Sequence, residues 1–164
     1  MQREYLREVV GYVDKWAPRA WLGYEKDTFL SMIHRESEYD PTSVDVRPNP
    51  KSNSVGICQV SLEFNPYVRK WWKARGYELG PDDDIETQVA LGLGAFRMKL
   101  DDAKGNVWGG VRRYNGGIRG QKSWKQAQGY AKNVFITRAK VFGRPYVDNE
   151  LTVKSGPPPK GVRK

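Results

Sequence analysis

The sequence predicts an α+β fold that is mainly α-helical, with a small β region near residues 41–60, and three observations point there. Apolar residues recur with a helical period in several separated stretches, a Pro- and Asn-rich segment with short β-branched runs interrupts them, and caps and breakers fall at their ends. The length of 164 residues suits one domain, expected over 1–150 and followed by a basic Pro-rich tail at 151–164.

The elements follow in order. Within residues 1–16, Leu6, Val9, Val10, Val13 and Trp16 share one helical face, and Pro18 ends the run. A second helix is expected to take Asp27 or Thr28 as its N-cap and to bury Phe29, Leu30 and Ile33. It should end at Asp40-Pro41, because a residue before proline avoids the helical region. Glu36 falls near its end. Pro41, Pro48 and Pro50, with the β-branched stretches 43–46 and 55–60, read as loops and short strands. After Pro66 comes an aromatic segment, 67–75. Asp82-Asp83-Asp84 offers caps to a long helix with the stripe Ile85, Val89, Leu93, Phe96 and Leu100. Asn106 caps a short helix carrying Val107, Val111 and Tyr114 and ending at Asn115-Gly116-Gly117. Ser123-Trp124-Lys125-Gln126 has the capping-box pattern for a last helix with Ala127, Tyr130, Val134 and Val141 inward, closed by Gly143 and Pro145. The tail from Lys154, with Pro157-Pro158-Pro159, should be extended.

Composition then excludes whole classes of chemistry. With Cys58 the single Cys and His34 the single His, an intramolecular disulfide is impossible and a Cys/His zinc site lacks ligands. No cofactor and no metal are expected. Asp82 to Asp84 lack the Gly and distal Glu of a calcium loop and suit a helix start. No apolar run is long enough for a membrane span, and the N-terminus is charged where a secretion signal would carry its apolar core. The expectation is a soluble protein outside that export route. Lys and Arg exceed Asp and Glu by 28 to 19, a net charge of +9, and aromatics reach 12%. Such a surface suits a polyanion with flat faces, either nucleic acid or a carboxylate-bearing sugar polymer. The basic residues are scattered and form no nucleic-acid motif, so no nucleic-acid partner is expected.

Glu36 lies three residues after the inward Ile33, so its carboxylate stands at the edge of the apolar face. Partial desolvation there raises a carboxyl towards the range of a general acid near neutrality, although on these residues alone a solvated surface Glu is the commoner outcome. Four segments in order change the weighting. Glu36-Ser37 with Asp40-Pro41, Gly56-Ile57-Cys58-Gln59-Val60, Tyr114-Asn115-Gly116-Gly117 and Gly129-Tyr130-Ala131-Lys132-Asn133-Val134 resemble the successive motifs of the lytic transglycosylase (SLT) domain. That lysozyme-like family cleaves peptidoglycan, and the match spans about residues 20–142.

The resemblance implies a lysozyme-like fold and a role for each matching position. Glu36 would be the catalytic acid and Ser37 its usual neighbour. Cys58 and Gln59 would line the cleft, with Tyr114, Asn115 and Tyr130 supplied by the third and fourth motifs. It also implies a one-carboxylate mechanism. The Glu protonates the bond between N-acetylmuramic acid and N-acetylglucosamine, then as base activates the muramyl 6-hydroxyl, leaving a 1,6-anhydromuramyl end. The sequence departs from the family in carrying Cys58 for a Met, Asn53-Ser54 for a Gly-Ala pair, a longer link to Gln59 through residues 47–51, and Gln126 where an acidic residue is common. For Gln126, a sugar contact competes with service to the Ser123 cap.

Other readings carry less weight. Asp45 as a second carboxylate would make a water-using, goose-type lysozyme. A non-catalytic virion component with the same fold is a further alternative. A Cys58/His34 dyad has the right residue types without a local signature, and His34 is more simply a packed or exposed residue. Tyr39, Phe64, Trp71 and Trp72 are candidate cleft aromatics, with core filling an equal prospect for the two Trp. The expected partners are peptidoglycan glycan strands and, for delivery, a phage virion or a secretion apparatus. The expected place is the virion or infected-cell cytoplasm, with action at the wall and no membrane insertion.

Overall fold

The computed structural model describes residues 3–19, 21, 23–115 and 120–143, and among them six α-helices, a short 3-10 helix and a three-stranded sheet. The fold is α+β and mostly helical. The chain divides into two compact units, Met1–Ala95 and Phe96–Lys164, with the division inside one helix. Pro145 and the tail expected from Lys154 lie outside the described residues, as do Gly116 and Gly117.

In the first unit, α1 (Arg3–Trp16) buries Val9 and Val13, as its stripe requires. The next helix, α2 (Gly23–Ser37), opens a turn ahead of the expected cap. Asp27 is interior: its carbonyl accepts the Ser31 Oγ at 2.7 Å, while Lys26 reaches Asp14 of α1 at 2.8 Å. An Asp followed by Thr is equally at home inside a helix when tertiary contacts hold the preceding turn, so local cap chemistry misplaced the start. The helix stops at Ser37 because Glu38 and Tyr39 both adopt positive φ, 52° and 68°. Such a pair is costly for residues with a Cβ. Tyr39 offsets it by burying its ring completely and donating its hydroxyl to the Leu30 carbonyl at 3.2 Å. Burial pushes its phenol up to about 12. Tyr39 is therefore an anchor of the turn, not a cleft aromatic.

The β region is smaller than its sequence suggests. Strands β1 (Val44–Asp45), β2 (Ser54–Val55) and β3 (Val60–Ser61) pair antiparallel in the order β1-β2-β3, with Val44 opposite Val55 and Val55 opposite Val60. The 3-10 helix Pro50–Ser52 fills the link between β1 and β2, its first turn capped by Asn49 Oδ1 accepting from the Lys51 N–H. What reads as one β-branched run at 55–60 is two strand ends joined by a turn.

Helix α3 (Asn65–Lys73) sends Trp72 into the core, where its indole N–H meets the Ala90 carbonyl at 2.8 Å. Helix α4 (Ile85–Asp102) starts where expected, with Asp84 Oδ2 accepting from both the N–H and the hydroxyl of Thr87. Every residue from 87 to 96 is buried, so α4 is a central helix and not merely a striped one. Glu86 ties α1 to it, accepting from Lys15 Nζ at 2.5 Å and Trp16 Nε1 at 2.8 Å.

These contacts predict an acid sensitivity. The hydrogen bonds from Lys15 and Trp16 hold the Glu86 carboxyl below its ordinary value, and those from Thr42 do the same for Asp40. A carboxyl lowered in the folded state stabilises it above the unfolded pKa and loses that contribution as pH falls through the folded one. The thermal midpoint should therefore drop on acidification below about pH 4.3. Glu86→Gln should shallow that drop in a thermal melt series from about pH 6 to about pH 3; an unchanged slope would contradict the assignment.

In the second unit, α5 (Val107–Tyr114) is capped by Asn106, whose Oδ1 accepts the Gly109 N–H at 2.9 Å. The last helix, α6 (Gly120–Phe142), opens before Ser123, which is interior and not an N-cap. Its buried face is Ala127, Ala131, Val134, Phe135 and Arg138, and the expected inward Val141 is 45% exposed. Val141 keeps the angular row of Val134 but stands in the last turn of α6, beyond Arg138, the last buried residue, so the end of the packed stretch and not the helical period leaves it exposed. Gln128 locks α5 to α6, its Oε1 accepting Trp108 Nε1 at 3.1 Å and Arg112 Nη1 at 3.2 Å.

Candidate functional site

In the first unit, the end of α2 and the turn 56–59 form one construction. Ser37 Oγ donates to the Ile57 carbonyl at 2.7 Å, tying the residue after Glu36 to a segment twenty positions on. Glu36 is half-buried in the last turn of α2. The turn is sharp: Gly56 has φ 79° and Gln59 φ 49°, and the Gly56 N–H returns to the Ser43 carbonyl at 2.8 Å.

Gln59 holds the turn closed. Its Nε2 donates to the carbonyls of Ser43 at 3.0 Å and Gly56 at 2.9 Å, occupying both amide protons with backbone. Its Oε1 is the atom left with capacity for a ligand, so Gln59 can offer an acceptor and not a donor. Gln88 of α4 secures the other side. It accepts the Ile57 N–H at 2.9 Å and donates to the carbonyls of Pro41 at 3.2 Å and Asp82 at 3.1 Å. A Cβ on Gly56 would come within 2.5 Å of Gln88 Oε1, so both the positive φ and the close approach require glycine there.

Cys58 belongs to the core, 2% exposed, and direct ligand contact is closed to its side chain in this arrangement. Burial pushes its thiol well up, and the negative charge of Glu36 adds to that, with a backbone hydrogen bond at Gly92 opposing. A raised thiol is the reverse of an activated nucleophile, which removes the physical basis of a Cys58/His34 dyad. The thiol instead forms part of the apolar bed beside Glu36. His34 is half-buried and stands edge-on to Tyr39, ring centres 5.7 Å apart.

The remaining candidates of this unit take ordinary places. Asp45 is exposed and paired with Arg47 Nη2 at 2.5 Å. Asp82 meets Arg69 and Asn65, which hold its carboxyl down against the desolvation that pushes it up. Trp72 is core, whereas Trp71 is half-buried with the Arg75 guanidinium 3.6 Å from its ring centre, so one face of that ring is already covered. Phe64 is half-buried ahead of α3.

In the second unit, Tyr114 closes α5, half-buried, with its ring edge-on to Phe96 at 6.4 Å. Asn115 is the exposed C-cap, its N–H directed to the carbonyls of Val111 and Arg113. On α6, Tyr130 is half-buried and Gln126 exposed, and the interior position of Ser123 removes the capping-box reading for Gln126. Arg113, 2% exposed, sits against the Gly109 carbonyl at 3.3 Å, and burial lowers its pKa while Asp102 raises it. The structure thus brings the first two motif segments together and describes Tyr114, Asn115, Gln126 and Tyr130 within a unit of their own.

Sequence reasoning missed Gln88 and Gln128. A single amide on a helix looks like a solvated position, and only the partner backbones reveal otherwise. Gln88→Leu should strand the Ile57 N–H and two carbonyls, at a cost of about 1–3 kcal/mol for each buried group left unpaired. Urea unfolding checks this, and a wild-type midpoint would contradict it. Comparisons with protein-family models, with curated proteins and with solved structures returned no match.

Proposed function

We propose that this protein is a peptidoglycan lytic transglycosylase in which Glu36 serves alone as general acid and base. The observation that carries the reading is the junction of the first two motif segments: a half-buried carboxylate at a helix end, beside a buried thiol, with the next residue bonded to the turn 56–59. That surrounding suits a carboxyl needed first protonated and then ionised, since limited solvation narrows the gap between the two forms.

Protonated Glu36 gives its proton to the glycosidic oxygen between N-acetylmuramic acid and N-acetylglucosamine, and the C1–O bond breaks. The substrate's own N-acetyl oxygen supports the positive charge at C1. Glu36, now a carboxylate, takes the proton of the muramyl 6-hydroxyl as that oxygen bonds to C1. The glutamic acid is regenerated, and no water is consumed. Gln59 Oε1 is available to accept from a sugar hydroxyl or amide. Asp45 supports the one-carboxylate form, because its pairing with Arg47 suits a surface loop better than a second catalytic group. Tyr114, Asn115, Gln126 and Tyr130 enter the reading through the motif resemblance.

The net charge of +9 fits attraction to stem-peptide carboxylates and other wall anions. Among the described residues no helix is long and apolar enough to cross a membrane. Delivery by a phage virion or a secretion apparatus is part of the same proposal. The test is the turbidity of purified peptidoglycan sacculi: the protein should clear it, and a suspension unchanged at high enzyme would refute the reading.

A further inference from the structure

The second unit buries the guanidinium groups of Arg112, Arg113 and Arg138, which are 3%, 2% and 1% exposed, and among the described residues it buries no carboxylate. Its nearest acids in sequence are Asp101, exposed, and Asp102, half-buried. A buried charge is costly unless a group of opposite sign is bonded to it. Arg112 gives a proton to Gln128 at 3.2 Å, and Arg138 lies over Phe135 with its guanidinium carbon 4.3 Å from the ring centre.

Arg113 differs in which edge of its guanidinium is engaged. Its Nη1 donates to the Gly109 carbonyl at 3.3 Å, and the space for it depends on that glycine: a Cβ there would stand 2.9 Å from Nη1 and 3.0 Å from Ala103 Cβ. The contact sets the group against the α5 backbone. Nε and Nη2 are buried and meet no acceptor among the described residues. These two nitrogens share one edge of the planar group, the side-on fork whose N–H bonds run parallel. The orphaned donors therefore point one way, as a pair. Two unrelated orphans would be a local fault of packing, whereas a whole buried fork matches two oxygens of one carboxylate or phosphate. Asp102 does not supply them: its charge favours the ionised arginine, but no hydrogen bond or ion pair joins the two side chains. Arg112 adds positive charge alongside, its own pKa lowered to about 10 by burial and then by Arg113.

We propose that Arg113 anchors a small-oxyanion site inside the second unit, its Nε and Nη2 giving parallel hydrogen bonds to two oxygens of a carboxylate or a phosphate. The positive charge of Arg112 adds to the attraction. The site stands apart from the glycan-cleaving reading: Glu36 belongs to the other unit, and the chemistry here is capture, with no bond made or broken. Because the donors are buried, salt screens the bound anion weakly, and its binding counts directly towards stability of the folded state.

The test uses the full chain, with inorganic phosphate and acetate as probes and chloride as control, all at one pH and one ionic strength. In a proton–nitrogen correlation spectrum the Arg113 Nε–H resonance, assigned through its own backbone, should move saturably with phosphate or acetate and stay still with chloride. The probe that acts at the lower concentration identifies the class of oxyanion. The thermal midpoint should rise with the same concentration dependence, by about 5–10 °C at roughly a hundredfold excess over the Kd. Arg113→Lys keeps the charge but loses the fork, and should weaken the affinity by about tenfold or more, the loss of one charge-assisted hydrogen bond. Arg113→Met should abolish the response, with circular dichroism confirming that each variant folds. The wild-type spectrum decides the question even where a variant does not fold. A motionless Nε–H resonance, an equal response to chloride, or a full response in folded Arg113→Met overturns the proposal. So does a response that appears only after Asp148→Asn with Glu150→Gln, which would give the fork to the chain's own carboxylates beyond residue 143.

Discussion

Glu36→Gln is expected to lower the release of fragments from sacculi by roughly 10²- to 10⁴-fold, the range for removing a general acid–base group. Glutamine matches glutamate in shape, so the half-buried site keeps its packing while losing the ability to give or take a proton. The thermal midpoint and binding to intact wall should stay at wild-type levels. One carboxyl performs both proton transfers in this account, so no second side chain can compensate. Residual activity near wild type would transfer the chemistry elsewhere and remove Glu36 from its role.

Gly92→Ala should destabilise the protein, by about 1–3 kcal/mol or more as an overpacked core site. The added Cβ would stand 2.3 Å from Cys58 Sγ and 2.5 Å from Cys58 Cβ, with Phe29 Cζ at 3.2 Å. These are fixed atoms of the core. On an exposed helix the same exchange stabilises by up to about 1 kcal/mol through propensity. Gly11 of α1 is such a position, exposed with nothing within 4 Å of an added Cβ, and Gly11→Ala should stabilise. Urea unfolding of the two variants should give opposite signs, and a stabilised Gly92→Ala would contradict the close packing of α4 on Cys58. Because Cys58 lies beside Glu36, Gly92→Ala should also lose activity beyond its loss of folded protein.

Much of the fold was legible because its signals are local. The stripes of α1 and α4, and the Asp84 and Asn106 caps, are decided within a turn of chain, and they stand as read. The starts of α2 and α6 were not legible. Asp27 and Ser123 carry cap chemistry but sit inside helices, and for α2 contacts distant in sequence, such as Lys26 with Asp14, favour an extra turn. At the candidate site, Glu36, Ser37 and the turn 56–59 were readable from type and spacing. Whether each side chain faces solvent or core was not: Tyr39 and Cys58 are core, Gln59 spends its amide protons on backbone, and Gln88, unremarkable in sequence, anchors Pro41, Ile57 and Asp82 together. Those outcomes depend on pairings between segments far apart in the chain, which periodicity does not encode.

The one-carboxylate mechanism is tested most directly by digesting purified peptidoglycan in ¹⁸O-labelled water and weighing the fragments by mass spectrometry. Muropeptides ending in 1,6-anhydromuramic acid without ¹⁸O are the result this account predicts. Reducing ends carrying ¹⁸O at C1 would mean that water, and not the muramyl 6-hydroxyl, attacks, and would contradict it.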